Sequence, residues 1–385
     1  MTKKDHASQI RTLLESEEEK DFLLDLIKRL VQVESPTDRP ETQIGVQQIV
    51  KDELEALDYK VTIRPGEKSG GILIARPNDM ADDAPFQMMV GHTDTVWPVG
   101  TLAHMPIKHD GDKLRGPGVF DMKTGDSMMI AAIRCLKKLR LTPKIAPVVI
   151  LNSDEEVGSP ESRGTMAEMA KRASRALVLE PSKDQDGKIK TARKGGGRFT
   201  IKATGIPSHA GLDPEKGASA ITAMANVVQQ LVVLNDYPNG KSVNPGVISG
   251  GSRPNVIAAE CELNVDVRFW TIDDAEELEQ AIRAVTPNVE GVTLEIAGMT
   301  GPPMERTPRN RELWQKAEAI GEAMGVTFVE SDVGGGSDGN TTSLYCATLD
   351  GLGAVGDGAH ADHEFIFPEK LVERTTLLAM LLMAD

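Results

Sequence analysis

Cysteine is scarce in this 385-residue chain. Its three cysteines, at positions 135, 261 and 346, lie far apart with no CxxC spacing, which argues against a disulfide framework and against a thiolate zinc site. A reducing cytoplasm is the compartment this predicts. Long apolar runs are also missing: candidates such as Ala146 to Leu151 are strand-sized, far short of the ~20 residues that a membrane helix needs. The segment from Met1 to Leu24 is charged throughout and has no apolar stretch of signal-peptide length, so it reads as a helical lead-in. Positive charge is in deficit. Against 58 Asp and Glu stand 43 Lys and Arg, a formal net charge of -15, so neither nucleic acid nor an anionic membrane is expected as a partner. Small substrates and metal cations fit better. Internal repeats and low-complexity tracts are absent as well. Two glycine clusters, RKGGGR around 195 and VGGGSDGN around 335, have neither a GxxxxGK[ST] pattern nor a strand-GxGxxG-helix setting, which excludes a nucleotide loop. The first reads as a hinge; the second, with Gly336, is placed to bring backbone groups close to a substrate.

What is present is a length that predicts two domains and an alternation of two periodicities. Helical spacing runs through Asp21 to Val33, Thr42 to Leu57 and Asp126 to Leu139, while strand-type runs occupy Lys60 to Arg64, Gly71 to Ala75, Pro85 to Val90, Lys144 to Leu151 and Ala176 to Leu179. This predicts an α/β class with a largely parallel sheet flanked by helices. From about Gly197 to Gly301 the order becomes strand, helix, strand, strand, helix, strand, an α+β ferredoxin-like unit. It is inserted, because Arg311 to Met324 resumes helix and the segment from Ala354 returns to the earlier pattern. The expected division is a catalytic domain from 1–196 and 302–385, with a lid domain at 197–301.

Acidic and imidazole residues gather where strands end, the position at which open parallel sheets collect ligands. His92 and Asp94 in GHTDTV are two apart on an extended exit, so both point the same way and the carboxylate can orient a metal-bound imidazole. Asp121 stands in a glycine-rich turn, GPGVFDMKTG, before a helix; it could bridge two metals or merely cap the helix. Glu155 and Glu156 in NSDEEVGS must diverge if extended, so one can ligate while the other faces a water. Glu180 in LEPS adds an oxygen and His360 in GDGAHADHEF a nitrogen, with His363 a competitor that local sequence cannot eliminate. Singly, each has a bland explanation: an HxD pair arises by chance, and an EE pair is more often a solvated loop. Their coincidence at the exits of one sheet favours a metal site. Two imidazoles and three carboxylates suit zinc, with cobalt or manganese as substitutes, and two such ions together perform amide hydrolysis.

Taken together, GHTDTVWP, GPGVFDMKTG, NSDEEVGS, LEPS, SHAG, RPNVI, DVRF, GGGSD and AHADHEF resemble, in order, the metallopeptidase family that includes carboxypeptidase G, aminoacylase, acetylornithine deacetylase and succinyl-diaminopimelate desuccinylase. The resemblance covers nearly the whole chain after about residue 20. It implies a zinc-exopeptidase-like catalytic domain with two divalent ions, one held by His92, Asp121 and Glu180 and the other by Asp121, Glu156 and His360. Glu155 would be the general base and Asp94 the partner of His92. From the lid, His209 would stabilise an oxyanion while Asn255 and Arg268 hold the substrate's carboxylate. The same resemblance implies a homodimer through the lid. The activity it implies is that of a glutamate carboxypeptidase-like exopeptidase acting on small peptides, or alternatively of an N-acyl-amino-acid deacylase; a non-catalytic binding protein fits less well, since Glu155 and every ligand are in place. One departure stands out: Gly301, in MTGPPMERT, occupies the place of an arginine that helps carboxypeptidase G-like members select glutamate, and Arg306 lies nearby as a replacement.

Overall fold

The strand Phe86–His92 is buried at every residue, and its alternate side chains serve two cores: Met89 packs with the helices on one face, Met88 and Val90 with Met166 and Met169 on the other. A strand apolar on both sides is the signature of a sheet covered by helices on both faces. In the computed structural model, which describes residues 2–385, this strand lies inside a six-stranded sheet of order Tyr59–Arg64, Ile72–Pro77, Ala146–Asn152, Phe86–His92, Ala173–Val178, Ala347–Leu349. The last four pair in parallel; the first two are antiparallel additions at one edge. Helices Glu17–Val31, Gln43–Glu55, Thr124–Leu139, Pro308–Met324 and Leu371–Met383 contribute to the larger core. The α/β class with a largely parallel sheet is therefore as the periodicities predict.

Two compact units result. The first runs to Thr191 and resumes as Arg306–Val333 and Ser337–Asp385, and the second is Ala192–Glu305 with Gly334–Gly336. The lid was expected at 197–301.

The second unit has its own apolar core of Phe199, Ile201, Met224, Val227, Leu263, Val265 and neighbours. Its antiparallel sheet has the order Ser242–Gly250, Glu260–Phe269, Gly195–Thr204, Thr293–Thr300, which with helices Ala220–Val232 and Ile272–Arg283 gives the ferredoxin-like arrangement. The glycines read as a hinge in RKGGGR instead open the strand Gly195–Thr204. A Cβ at Gly195 would meet the Phe269 ring at 2.3 Å and one at Gly196 the Arg268 guanidinium at 2.8 Å, so these positions are bare because large side chains of the paired strand lie across them.

A small four-stranded sheet, formed by Lys108–Asp110, Lys113–Arg115, Gly356–Asp357 and Phe365–Ile366, has no counterpart among the expected elements. It pairs Phe365 with Arg115 and Ile366 with Leu114, and so fastens the segment bearing His360 beside the segment that leads to Asp121. Among the described residues, no helix is long and apolar enough to cross a membrane.

Candidate metal centre and lid residues

His92 ends its strand with 1% of its surface exposed. The Nε2 atom is 3.2 Å from an Asp121 oxygen and 3.4 Å from a Glu180 oxygen, and Nδ1 lies 3.0 Å from the Asp94 carbonyl. A second cluster forms around the other Asp121 oxygen: Nε2 of His360 is 3.5 Å from it and 3.0 Å from Glu156 Oε2. The donor atoms of His92, Asp121 and Glu180 all lie within 4.8 Å of one another, as do those of Asp121, Glu156 and His360. Asp121 is common to both groups. His360 adopts the left-handed backbone region at φ 61°, a conformation uncommon outside glycine and found where a site fixes a side chain's direction. His363 is exposed, and its carbonyl accepts from Arg115.

Asp121 is not a helix cap. It lies in the irregular turn Val119–Lys123, and the helix that follows is led by Lys123 with no side-chain cap. What shapes the turn is Glu364, a residue to which the motifs assign no role. Its buried carboxylate accepts from the backbone N–H groups of Gly118 (2.8 Å), Phe120 (2.8 Å) and Asp121 (3.0 Å) and from the Trp97 indole (2.8 Å). Burial pushes its pKa up to about 7 against those donors. Gly118, at φ 72°, has no room for a Cβ, which would stand 2.7 Å from the Thr95 methyl.

Asp94 ties three segments together. Beside its contact with His92, it accepts from the Thr37 hydroxyl at 2.7 Å and from the backbone N–H groups of Glu155 and Glu156 at 3.3 and 3.2 Å. Those two glutamates stand on a short 3-10 turn, Glu155–Val157, not on extended chain. Their divergence comes from that turn's ~120° step between successive residues: Glu156 joins the metal cluster and Glu155 belongs to neither group.

The electrostatics call for a cation. Burial opposes charge on His92, but the carboxylates of Asp121, Asp94 and Glu180 outweigh it and hold its pKa well above the ordinary imidazole value. Contact with Asp121 and Glu156 lifts His360 to about 10. Burial raises Glu155 strongly and Glu156 as well, with Glu180 and Asp121 respectively adding to the repulsion. Glu156 Oε1 is buried without a hydrogen-bond partner, a placement that costs free energy unless something positive meets it. Nitrogen and carboxylate donors converging on an orphaned oxygen fit divalent metal ions.

In the second unit, His209 and Asn255 sit on paired segments: Ala210 N–H donates to the Asn255 carbonyl at 3.0 Å, and His209 bridges to Val256. Nδ1 of His209 accepts from the N–H groups of Gly211 and Leu212, both at 3.1 Å. The proton of the neutral ring is thereby placed on Nε2, which becomes a directed donor. Arg268 closes its fork on Asp266, with Nε and Nη2 at 2.9 and 2.8 Å. The carbonyls of Gly335 and Gly336 accept from Arg193 at 3.2 and 2.9 Å. Arg306, the arginine near Gly301 in sequence, belongs to the first unit, where it contacts Thr191 at 3.0 Å and Glu330 at 3.2 Å.

Comparison with known proteins follows the same lines. Residues 191–291 match the M20 peptidase dimerisation domain. The chain is 28% identical to carboxypeptidase G2 of Pseudomonas sp. (strain RS-16), over 95% of this chain and 90% of that one. It is a hydrolase of amide or peptide bonds, similar to those of the M20 family. A succinyl-diaminopimelate desuccinylase of Delftia acidovorans is likewise 28% identical, over 92% of this chain and 97% of its own. The YXEP protein of Bacillus subtilis, described as a dinuclear metal binding peptidase from the M20 family, superposes with a TM-score of 0.70 at 16% identity, covering 96% of this chain and 98% of that one. The fold is thus common to M20 hydrolases, and relatives of different specificity stand at equal identity.

Proposed function

We propose that this M20 hydrolase is a dinuclear exopeptidase of carboxypeptidase type that releases a carboxy-terminal amino acid from a small peptide. The observation that carries the reading is the sharing of Asp121 between two donor triads, with the Glu155 carboxyl beside them and outside both. His92, Asp121 and Glu180 would hold one ion and Asp121, Glu156 and His360 the other, zinc by donor type, with cobalt or manganese able to replace it. Bound there, the pair would polarise an amide carbonyl and activate a water. Glu155 then takes the proton from the attacking water and passes it to the leaving amine. Asp94 keeps His92 in one tautomer and holds the Glu155 turn in place. His209 offers its Nε2–H to the oxyanion of the tetrahedral intermediate. Asn255 and Arg268 receive the substrate's free carboxylate, Arg268 through a planar fork that would exchange Asp266 for the ligand, and the glycine loop at Gly336 lends backbone groups to the same end.

A second reading, N-acyl-amino-acid deacylase, keeps these roles and changes the acyl side; the desuccinylase at equal identity favours it. Gly301 speaks against strict glutamate selection in either case. A panel of dipeptides and N-acyl amino acids, assayed with zinc, cobalt or manganese added, tests the proposal: faster turnover of peptides is expected, and hydrolysis confined to acyl amino acids would overturn it in favour of deacylation. Absence of turnover with every metal would defeat both. The functional form is a homodimer through the second unit, whose edge strand Ser242–Gly250 leaves Val247 62% and Ile248 55% exposed; sedimentation is expected to give twice the chain mass and not once. The three cysteines are free and buried, in keeping with a cytoplasmic setting, which localisation of the tagged protein would check.

A further inference from the structure

Arg374 heads the fully buried side chains by volume, with 1% of its surface exposed. It stands on the helix Leu371–Met383, and among the described residues no carboxylate forms an ion pair with it. Enclosing a guanidinium without a carboxylate partner is costly, and an apolar side chain of similar volume would be cheaper. What it obtains in return is three carbonyls: Nε donates to Gly353 at 3.1 Å, Nη1 to Gly187 at 3.0 Å, and Nη2 to Gly351.

Two of those carbonyls lie on one strap of chain, residues 350–354, and the strap runs beside Glu180. The strand Ala173–Val178 stops before Glu180; the neighbouring strand still holds Leu179, whose N–H donates to the Val90 carbonyl at 2.9 Å, but it does not hold the Glu180 carbonyl. The strap does. Leu352 N–H donates to the Val178 carbonyl at 3.2 Å, Gly353 N–H to the Glu180 carbonyl at 2.9 Å, and Ser182 N–H returns to Ala354 at 2.9 Å. Approach is so close that a Cβ on Gly353 would stand 2.1 Å from the Leu179 carbonyl. Gly351 turns at φ 68°; the strap's ends pair with Lys190, through Asp350 at 2.8 and 3.0 Å, and with Ser182, while the arginine holds the Gly351 and Gly353 carbonyls between them.

We propose that Arg374 is a positioning residue for one of the two metal sites: by clamping the strap it sets the backbone of Glu180, and so governs the affinity of the ion held by His92, Asp121 and Glu180 while sparing the ion held by Asp121, Glu156 and His360. This rests on the metal reading above. The other ligands have further supports of their own: Asp121 through Glu364, Glu156 through Asp94, His92 as the last residue of its strand, and His360 through the small sheet that pairs Gly356 with Ile366 between it and the strap.

The test is zinc uptake by metal-stripped protein in competition with a chromogenic chelator. Wild type is expected to take up two ions. In Arg374→Met one of the two steps should weaken about tenfold or more, the loss typical of removing a group that supports a ligand, while the other stays within about threefold. Glu180→Gln should weaken the same step, and adding Arg374→Met to it should cost no more, because the two changes break one chain of contacts. Arg374→Lys, which keeps a buried cation but cannot fork to three carbonyls, should show the same selective loss in smaller degree, and decides between the outcomes if the methionine variant does not fold. Equal weakening of both steps, unchanged uptake, or losses that add with Glu180→Gln would overturn the proposal. Wild-type protein that takes up no ion refutes the metal centre itself; two ions bound by wild type and equally by Arg374→Lys refutes the role of Arg374 alone.

Discussion

Glu155 and Glu156 are covalent neighbours, yet a tight turn sends them in different directions, which is why the proposed function gives them different tasks. Glu156 meets His360, and Glu155 keeps a carboxyl whose charge is disfavoured by burial and by Glu180, as befits a group that must accept a proton and give it back. Glu155→Gln is expected to lower kcat about 10²- to 10⁴-fold, the span of general acid–base catalysis, while zinc uptake stays at two ions; retained turnover would remove Glu155 from the reaction. Glu364 acts at one remove. Replacing it by alanine strips acceptors from three backbone N–H groups and the Trp97 indole, each worth about 1–3 kcal/mol if left buried and unpaired, so Glu364→Ala should bind zinc about 10- to 100-fold more weakly. Affinity equal to wild type would show that the Asp121 turn holds its shape unaided. These two glutamates mark the limit of what the residues disclose on their own. The Glu155–Glu156 pair stood out as a candidate because acids at strand exits follow a rule, whereas Glu364 did not, since its partners are main-chain groups some 240 positions away that no side-chain pattern announces. The family resemblance singled out His360 over His363, whereas the left-handed backbone at His360, beside its contact with Glu156, is visible only in the fold.

At the scale of elements, the helix Thr124–Leu139 approaches the sheet through Gly125. Glycine in a first turn sacrifices about 1 kcal/mol relative to alanine, and the reason here is distance: a Cβ would lie 2.1 Å from the Leu179 carbonyl. Gly353 approaches that carbonyl from the strap at the same 2.1 Å, so a single peptide group next to Glu180 is enclosed by two residues without side chains. Gly125→Ala should therefore destabilise by about 1–3 kcal/mol, as overpacking does, despite its better helix propensity; urea unfolding that shows a gain would mean the helix can slide. Periodicity made long elements readable, and this helix was expected at Asp126 to Leu139, with its opening turn missed because packing against Leu179, rather than a capping side chain, sets where it starts. The strands of the small sheet, two or three residues each, are too short to carry a period. They were invisible, although they bring His360 to Asp121.

For the whole molecule, the decisive feature is that the two units have separate apolar cores and that all five side chains proposed to bind metal belong to the first. Five carboxyl groups, from Asp94, Asp121, Glu155, Glu156 and Glu180, are crowded there in a chain already at -15, so removing cations leaves that region with unrelieved repulsion. Ions that bind only the folded state add RT ln(1 + [L]/Kd), about 4 kcal/mol at a thousandfold excess over Kd. That contribution falls on one unit. Calorimetry with and without a chelator is accordingly expected to show a large downward shift of Tm for the transition of the first unit, and at most a small one for residues 192–305. A variant with both His92 and His360 replaced by alanine should be insensitive to the chelator from the start, which separates loss of bound ions from a general effect of the reagent. Equal shifts of both transitions would mean that the units unfold as one body, and an unshifted first transition would mean that the clustered acids tolerate one another without a metal.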